Sequence, residues 1–104
     1  MKQTYIDISK IMKALSDPKR LRIVDMLSQG ELCARNIQTA FNISQPTLSH
    51  DMRVLKEAGI TAERRDAGFY SLDYRTLHGL KNSLALIFNE ESSYLSPDDG
   101  AKAK

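Results

Sequence analysis

The segment Asn42-Ile43-Ser44-Gln45-Pro46-Thr47-Leu48-Ser49-His50-Asp51-Met52-Arg53-Val54-Leu55-Lys56-Glu57-Ala58-Gly59 constrains this chain more than any other. It reads as a turn, a cap, a helix and a stop. Ser44 offers a side-chain acceptor to the first free N–H groups, Pro46 falls in the first turn, where its missing N–H costs nothing, and Gly59 closes the helix. Wound at about 100° per residue from Leu48, Met52 falls at about 40° and Leu55 at about 340°, a narrow apolar stripe that must face a core. The opposite wall carries Arg53 at about 140°, Pro46 at about 160°, Glu57 at about 180° and His50 at about 200°, with Ser49 at its edge. Asp51, at about 300°, lies beside the stripe and is expected to turn inward or pair with a neighbouring cation.

The rest of the chain supplies a frame for that helix. Ile8, Ile11, Met12 and Leu15 recur at helical spacing, which predicts a first helix over about residues 5 to 15. Ser16-Asp17-Pro18 is a helix start, and the second helix presents Leu21, Ile23, Val24 and Leu27 to a core before Gly30 ends it. A short third helix is expected from about Ala34 to Phe41, with Ile37 and Phe41 on its buried side. Ile60, Thr61, Phe69, Tyr70 and Tyr74 are strand formers around the turn signal Asp66-Ala67-Gly68, which predicts a small hairpin. Leu77, Leu80, Leu84, Ile87 and Phe88 then restore the helical period over about Tyr74 to Glu91. Leu86 points away from that stripe, and an apolar residue there implies a second buried surface.

Length and composition narrow the class. A chain of 104 residues holds one core. We therefore expect one domain over residues 1–91 and a polar, disordered tail over 92–104, marked by Pro97 and Gly100. The longest apolar run, Leu84-Ala85-Leu86-Ile87-Phe88, is far short of the roughly 20 residues that span a bilayer. Polar residues follow Met1-Lys2 at once, so no secretory signal is expected and the cytoplasm is the expected location. The net charge of +2 is too small to announce nucleic-acid binding. Residues 90–104 carry −2, however, which leaves +4 on the remainder. Lys10, Lys13, Lys19, Arg20 and Arg22 form a candidate phosphate-facing patch, or else an ordinary solvated surface. Asp17 and Arg20 are better explained as a cap and brace of the second helix. A lone Cys33 forms no internal disulfide and cannot build a Cys-rich zinc site. No catalytic constellation is visible: there is no Gly-rich phosphate loop and no His with a matched nucleophile and acid.

Two helices joined by the turn at Asn42-Ile43, followed by a hairpin, describe a winged helix-turn-helix: mainly α, five helices, one small β-hairpin. A helix fits the DNA major groove, and residues of its first turns reach base edges. Gln45 suits adenine, Arg53 suits guanine, and Thr47, Ser49 and His50 donate or accept at either. These five are the expected DNA-binding residues. Arg64 and Arg65, beside the hairpin tip, are placed to meet flanking phosphates or a minor groove.

The segments Ala14-Leu15-Ser16-Asp17-Pro18-Lys19-Arg20-Leu21-Arg22-Ile23, Ser44 to His50 and Leu55-Lys56-Glu57-Ala58-Gly59-Ile60 resemble, in order and spacing, the ArsR/SmtB family of bacterial repressors. The resemblance runs from about residue 8 to residue 74. It implies a homodimer formed by the first and last helices, through Ile8, Ile11, Leu80, Leu84, Leu86 and Ile87, with the helix after the turn entering the major groove. Many members sense metals, and here the chain departs. The arsenic-type motif is similar to Glu-Leu-Cys-x-Cys, whereas this chain has Glu31-Leu32-Cys33-Ala34-Arg35. The zinc-type motif of the last helix, started at Asp73, meets Arg75, Leu86 and Asn89, which leaves one ligand of four. His50 and His78 fall on separate helices. No metal and no cofactor are therefore expected. The wing is also shorter than the common pattern, with Phe69 where an Arg often follows the Gly.

The expected function is sequence-specific, double-stranded DNA binding by a dimeric repressor on a pseudo-palindromic operator, with the inducer unidentified. The alternatives are a winged-helix protein-interaction module and a thiol-responsive repressor acting through Cys33. A membrane partner is not expected.

Overall fold

The computed structural model describes residues 4–64 and 68–89. Arg65, the Asp66-Ala67 part of the hairpin turn and the expected tail lie outside the described residues. Within them the elements run α1 (Tyr5–Ala14), α2 (Pro18–Leu27), β1 (Leu32–Cys33), α3 (Ala34–Phe41), α4 (Gln45–Glu57), β2 (Thr61–Arg64), β3 (Phe69–Leu72) and α5 (Tyr74–Ile87). This is the expected winged helix-turn-helix, with one addition. The hairpin β2–β3 pairs Thr61 with Leu72 and Arg64 with Phe69, and β1 joins its other side, Leu32 opposite Tyr70 and Cys33 opposite Phe69. A two-residue strand carries no periodicity, so the sequence could not announce it.

Local chemistry sets the helix starts. The Thr4 hydroxyl accepts from the Asp7 N–H at 3.0 Å, and the Asp17 carboxylate accepts from the Arg20 N–H at 3.0 Å, with Pro18 opening α2. That N–H, together with the positive charges of Lys19 and Arg20, holds the Asp17 carboxyl below its ordinary value of 3.8. Asp73 caps α5 by accepting from the Arg75 N–H at 3.0 Å. At the end of α4 the Ile60 N–H reaches the Leu55 carbonyl at 3.0 Å, while Gly59 takes a φ of 80°. A Cβ at Gly59 would also stand 3.2 Å from the Thr76 hydroxyl, so only glycine lets the chain turn so close to α5.

The core gathers one face of each helix: Ile8, Ile11 and Ala14 of α1, Ile23 and Leu27 of α2, Ile37 of α3, Leu48, Met52 and Leu55 of α4, and Leu80 of α5, closed by Ile60 and Leu72. Some expected core residues stay outside. Met12 and Leu21 are exposed, because each lies at the margin of its helix's apolar stripe. On α5 the helix ends at Ile87, not at about Glu91, and Asn89 adopts a φ of 55°. Ile87 and Phe88 project into solvent beyond the body that covers Leu77, Leu80 and Leu84. Of the two aromatics read as core or interface residues, Tyr70 packs against the core and Tyr74 is exposed, its ring 6.0 Å from that of His78. Burial, with a smaller push from Glu63, raises the Tyr70 hydroxyl above its ordinary value.

Candidate nucleic-acid interface

The junction between α3 and α4 is built by three residues. Asn42 ends α3 in the left-handed conformation, φ 54° and ψ 47°, and its N–H donates to the Gln38 carbonyl at 2.8 Å. Ile43 tucks partly against the core. Ser44 then caps α4, accepting from the Thr47 N–H at 3.3 Å and donating its own hydroxyl to Thr47 Oγ1 at 3.0 Å. The chain thus leaves one helix and starts the next within two residues, and α4 enters with its N-terminal turn outward.

The buried side of α4 consists of Leu48, Asp51, Met52 and Leu55. Gln45, Thr47, Ser49, His50 and Arg53 are all exposed, with Ser49, His50 and Arg53 on the wall away from the apolar stripe and Gln45 and Thr47 in the first turn to either side of it. Thr47 differs from the others, since its oxygen already accepts from Ser44. The helix dipole and the free N–H groups of the first turn favour negative charge at this end, where Gln45 stands. The chemistry available is therefore hydrogen-bond donation, amide recognition and one guanidinium, on a helix narrow enough for a major groove.

Asp51 explains how that wall is held. Its side chain is 3% exposed and is met by the Lys19 ammonium at one oxygen and by Arg20 Nη1 at 3.4 Å from the other. Its position beside the apolar stripe signalled an inward carboxylate, but the partners come from 31 and 32 residues away and were not legible. The finding corrects the proposed basic patch. Lys19 and Arg20 are engaged with Asp51, and Arg22 lies over the Phe41 ring at 5.2 Å, so only Lys10 and Lys13 of the five stand as exposed cations outside these contacts.

The wing is also tied down. Arg64 is exposed, with Nη2 3.6 Å from the Glu31 carboxylate and its guanidinium 5.0 Å over the Phe69 ring. Phe69, where the common pattern often places an Arg, is thus the platform on which Arg64 rests. On α3, Arg35, Gln38, Thr39 and Asn42 border a shallow depression beside the turn, a set that sequence reasoning passed over. Cys33 precedes α3, and its backbone N–H and its thiol both point to the Asn36 side-chain oxygen, at 3.2 and 2.9 Å. Among the described residues no group of three or more His, Cys, Asp or Glu side chains is placed to hold a metal ion.

The predicted interface residues divide. Ile8, Ile11 and Leu80 are buried in the chain's own core, because the apolar stripes of α1 and α5 that carry them face the body. Leu84 is half-buried. Leu86 is 68% exposed and Ile87 51%, and Phe88 at 65% stands beside them. At the start of α1, Tyr5 and Ile6 are 81% and 79% exposed, two further large apolar side chains that were not singled out.

Known proteins share both the sequence and this arrangement. A family model for bacterial regulatory proteins of the arsR family matches residues 17–61, from the Asp17 cap of α2 to the first residue of β2. The arsenical resistance operon repressor of Staphylococcus xylosus is 41% identical over 86 residues, 81% of this chain and 83% of that one. The transcriptional repressor SdpR of Bacillus subtilis is 35% identical over 85 residues, 80% of this chain and 94% of its own length. Among solved structures, a homodimeric winged helix-turn-helix DNA-binding domain from Mycobacterium bovis, a possible ArsR-family regulator, superimposes with a TM-score of 0.64 at 25% identity, covering 85% of this chain and 83% of that one. The capped α4, the three-stranded sheet and this extent of identity place the chain in the arsR family of bacterial regulatory proteins.

Proposed function

We propose that the protein is a homodimeric transcriptional repressor that binds a pseudo-palindromic double-stranded operator with α4 in the major groove. One observation carries the reading: Ser49, His50 and Arg53 form a solvent-facing polar wall, with Gln45 exposed in the first turn, on a helix whose opposite side is locked in the core. Arg53 and Gln45 discriminate guanine and adenine, and Ser49, Thr47 and His50 add contacts whose partner depends on the operator. Arg64, together with Arg65 from outside the described residues, serves flanking phosphate. Arg35, Gln38 and Thr39 serve the backbone beside α3. Leu86 and Ile87, with Phe88, Tyr5 and Ile6, supply the apolar surface for a second copy, and Leu84 lies at its edge. A two-fold pair sets the two α4 helices about one DNA turn apart.

The relatives matched in sequence are named repressors. Arg35 stands where an arsenic-type site would require its second thiolate, so we assign this chain no arsenic-type or zinc-type response. We place it in the cytoplasm as a regulator and not an enzyme. No described helix is long and apolar enough to cross a membrane.

The test is selection of duplexes from a randomised pool by the full chain, followed by footprinting of the selected site with and without reductant. A two-fold site with half-sites about 10 base pairs apart, bound more weakly as salt rises, is expected. Selection of no consensus would refute the proposal. Dependence on reductant would favour control through Cys33.

A further inference from the structure

Near the middle of α4, between the exposed His50 and the buried Met52, sits a carboxylate with almost no access to water. Burial of a charge is costly unless cations and donors meet it. Those that meet Asp51 come from outside the helix-turn-helix pair, and neither hangs loosely. Arg20 Nε donates to the Ala14 carbonyl at 2.8 Å, the Arg20 backbone N–H donates to Asp17, and the Lys19 ammonium lies 3.9 Å from the Asp17 carboxylate while contacting Asp51. The last turn of α1, the first turn of α2 and the centre of α4 are therefore joined through one group. No buried side-chain nitrogen or oxygen among the described residues lacks a partner.

Apolar packing is non-directional, and the stripe Leu48-Met52-Leu55 by itself tolerates some rotation of α4. A carboxylate held from two sides does not. Rotation by about 20° carries a group about 6 Å from the helix axis through about 2 Å, more than a base-edge hydrogen bond tolerates. We infer that Asp51, clamped by Lys19 and Arg20, is a positioning residue that sets the rotation of α4 and hence the register in which Ser49, His50 and Arg53 meet base pairs. The clamp has a second effect, because it withholds two cations that would otherwise attract phosphate of any sequence. The inference rests on the reading of α4 as the DNA-contacting helix.

The two effects make the test selective. The full chain, as wild type, Asp51→Asn, Lys19→Met and Lys19→Arg, is titrated with the duplex that the wild type selects from a random pool and with an unrelated duplex of equal length. Asp51→Asn is expected to weaken the selected duplex by about tenfold or more and to tighten the unrelated one by about two- to threefold, with a steeper salt dependence. A merely structural role lowers both affinities together, in step with the melting temperature. A selected-to-unrelated ratio within about twofold of wild type in Asp51→Asn would overturn the inference. If Asp51→Asn fails to fold, Lys19→Met decides. It leaves Arg20 on Asp51, and the ratio is expected to fall by about threefold and to recover in Lys19→Arg; an unchanged ratio overturns the inference. Failure of the wild type to select any consensus would overturn both the clamp and the DNA reading, whereas a consensus that Asp51→Asn keeps overturns the clamp alone.

Discussion

The outward wall of α4 and the far end of α5 both face solvent, yet one presents Ser49, His50 and Arg53 and the other Leu86, Ile87 and Phe88. The polar wall is satisfied by water until a better-matched set of donors and acceptors replaces it, so its exposure is compatible with a chain that waits for a polar ligand. The apolar end has no such resting state. Each of its side chains gains up to about 1.5–3 kcal/mol when fully covered, so an apolar cluster of this kind suits a contact with another protein surface. The two surfaces thus differ in the ligand they fit. α4 owes its definition to the residues beneath it, whereas the end of α5 overhangs the body, which explains why the chain's own core does not reach it.

The sharpest way to break this contrast is to make the apolar end polar. Leu86→Glu with Phe88→Glu is expected to destabilise the dimer by about 4 kcal/mol or more, since a two-fold interface loses each side chain twice. Sedimentation at micromolar concentration would show monomers with unchanged helical circular dichroism, and persistence of a dimer would break the assignment of this surface. Removing what lies beneath the polar wall comes next: Leu55→Ala, at a fully buried position, should cost about 2–5 kcal/mol in denaturant unfolding. On the wall itself, Arg53→Ala should leave unfolding within about 0.5 kcal/mol of wild type while costing about 1–3 kcal/mol of operator binding and relaxing preference at one base pair. A loss spread evenly over all sequences would reassign Arg53 to phosphate. Ser44→Ala should lower stability by about 1 kcal/mol through the lost cap.

The smallest effect lies in neither surface. Asp17 is held below its ordinary value by the Arg20 N–H first, so its contribution to stability is present above the unfolded value and is lost as pH falls through the folded one. Asp17→Asn should therefore lower stability slightly in the neutral region, leave stability at the acid extreme nearly unchanged, and so flatten the acid limb below about pH 4. An acid limb identical to wild type would show that the cap is not linked to folding.

Much of the frame was legible because it is written in short-range chemistry. Asp17 and Ser44 were read as helix starts and accept from N–H groups three residues on, and Thr4 and Asp73, not singled out, cap in the same local way. The stripe at Leu48, Met52 and Leu55 and the opposing wall follow from helical winding alone. Apart from the two-residue β1 and the end of α5, what the sequence left open was contact and not element. Ile8 and Leu80 on one side and Leu86 on the other are equally apolar, and periodicity could not say which stripe the chain covers itself. Lys19 and Arg20 looked like part of a basic patch because charge in a sequence has no direction.

Residue order by itself determined the helices, their caps, the polar wall of α4 and the presence of a hairpin, because each depends on neighbours within one or two turns. Only the tertiary structure decided that β1 completes the wing, that Ile8, Ile11 and Leu80 turn inward while Leu86 and Phe88 stay out, and that Asp51 meets Lys19 and Arg20. These outcomes depend on which distant surfaces come together. Burial and ion pairing are set by that encounter, and no local period encodes it.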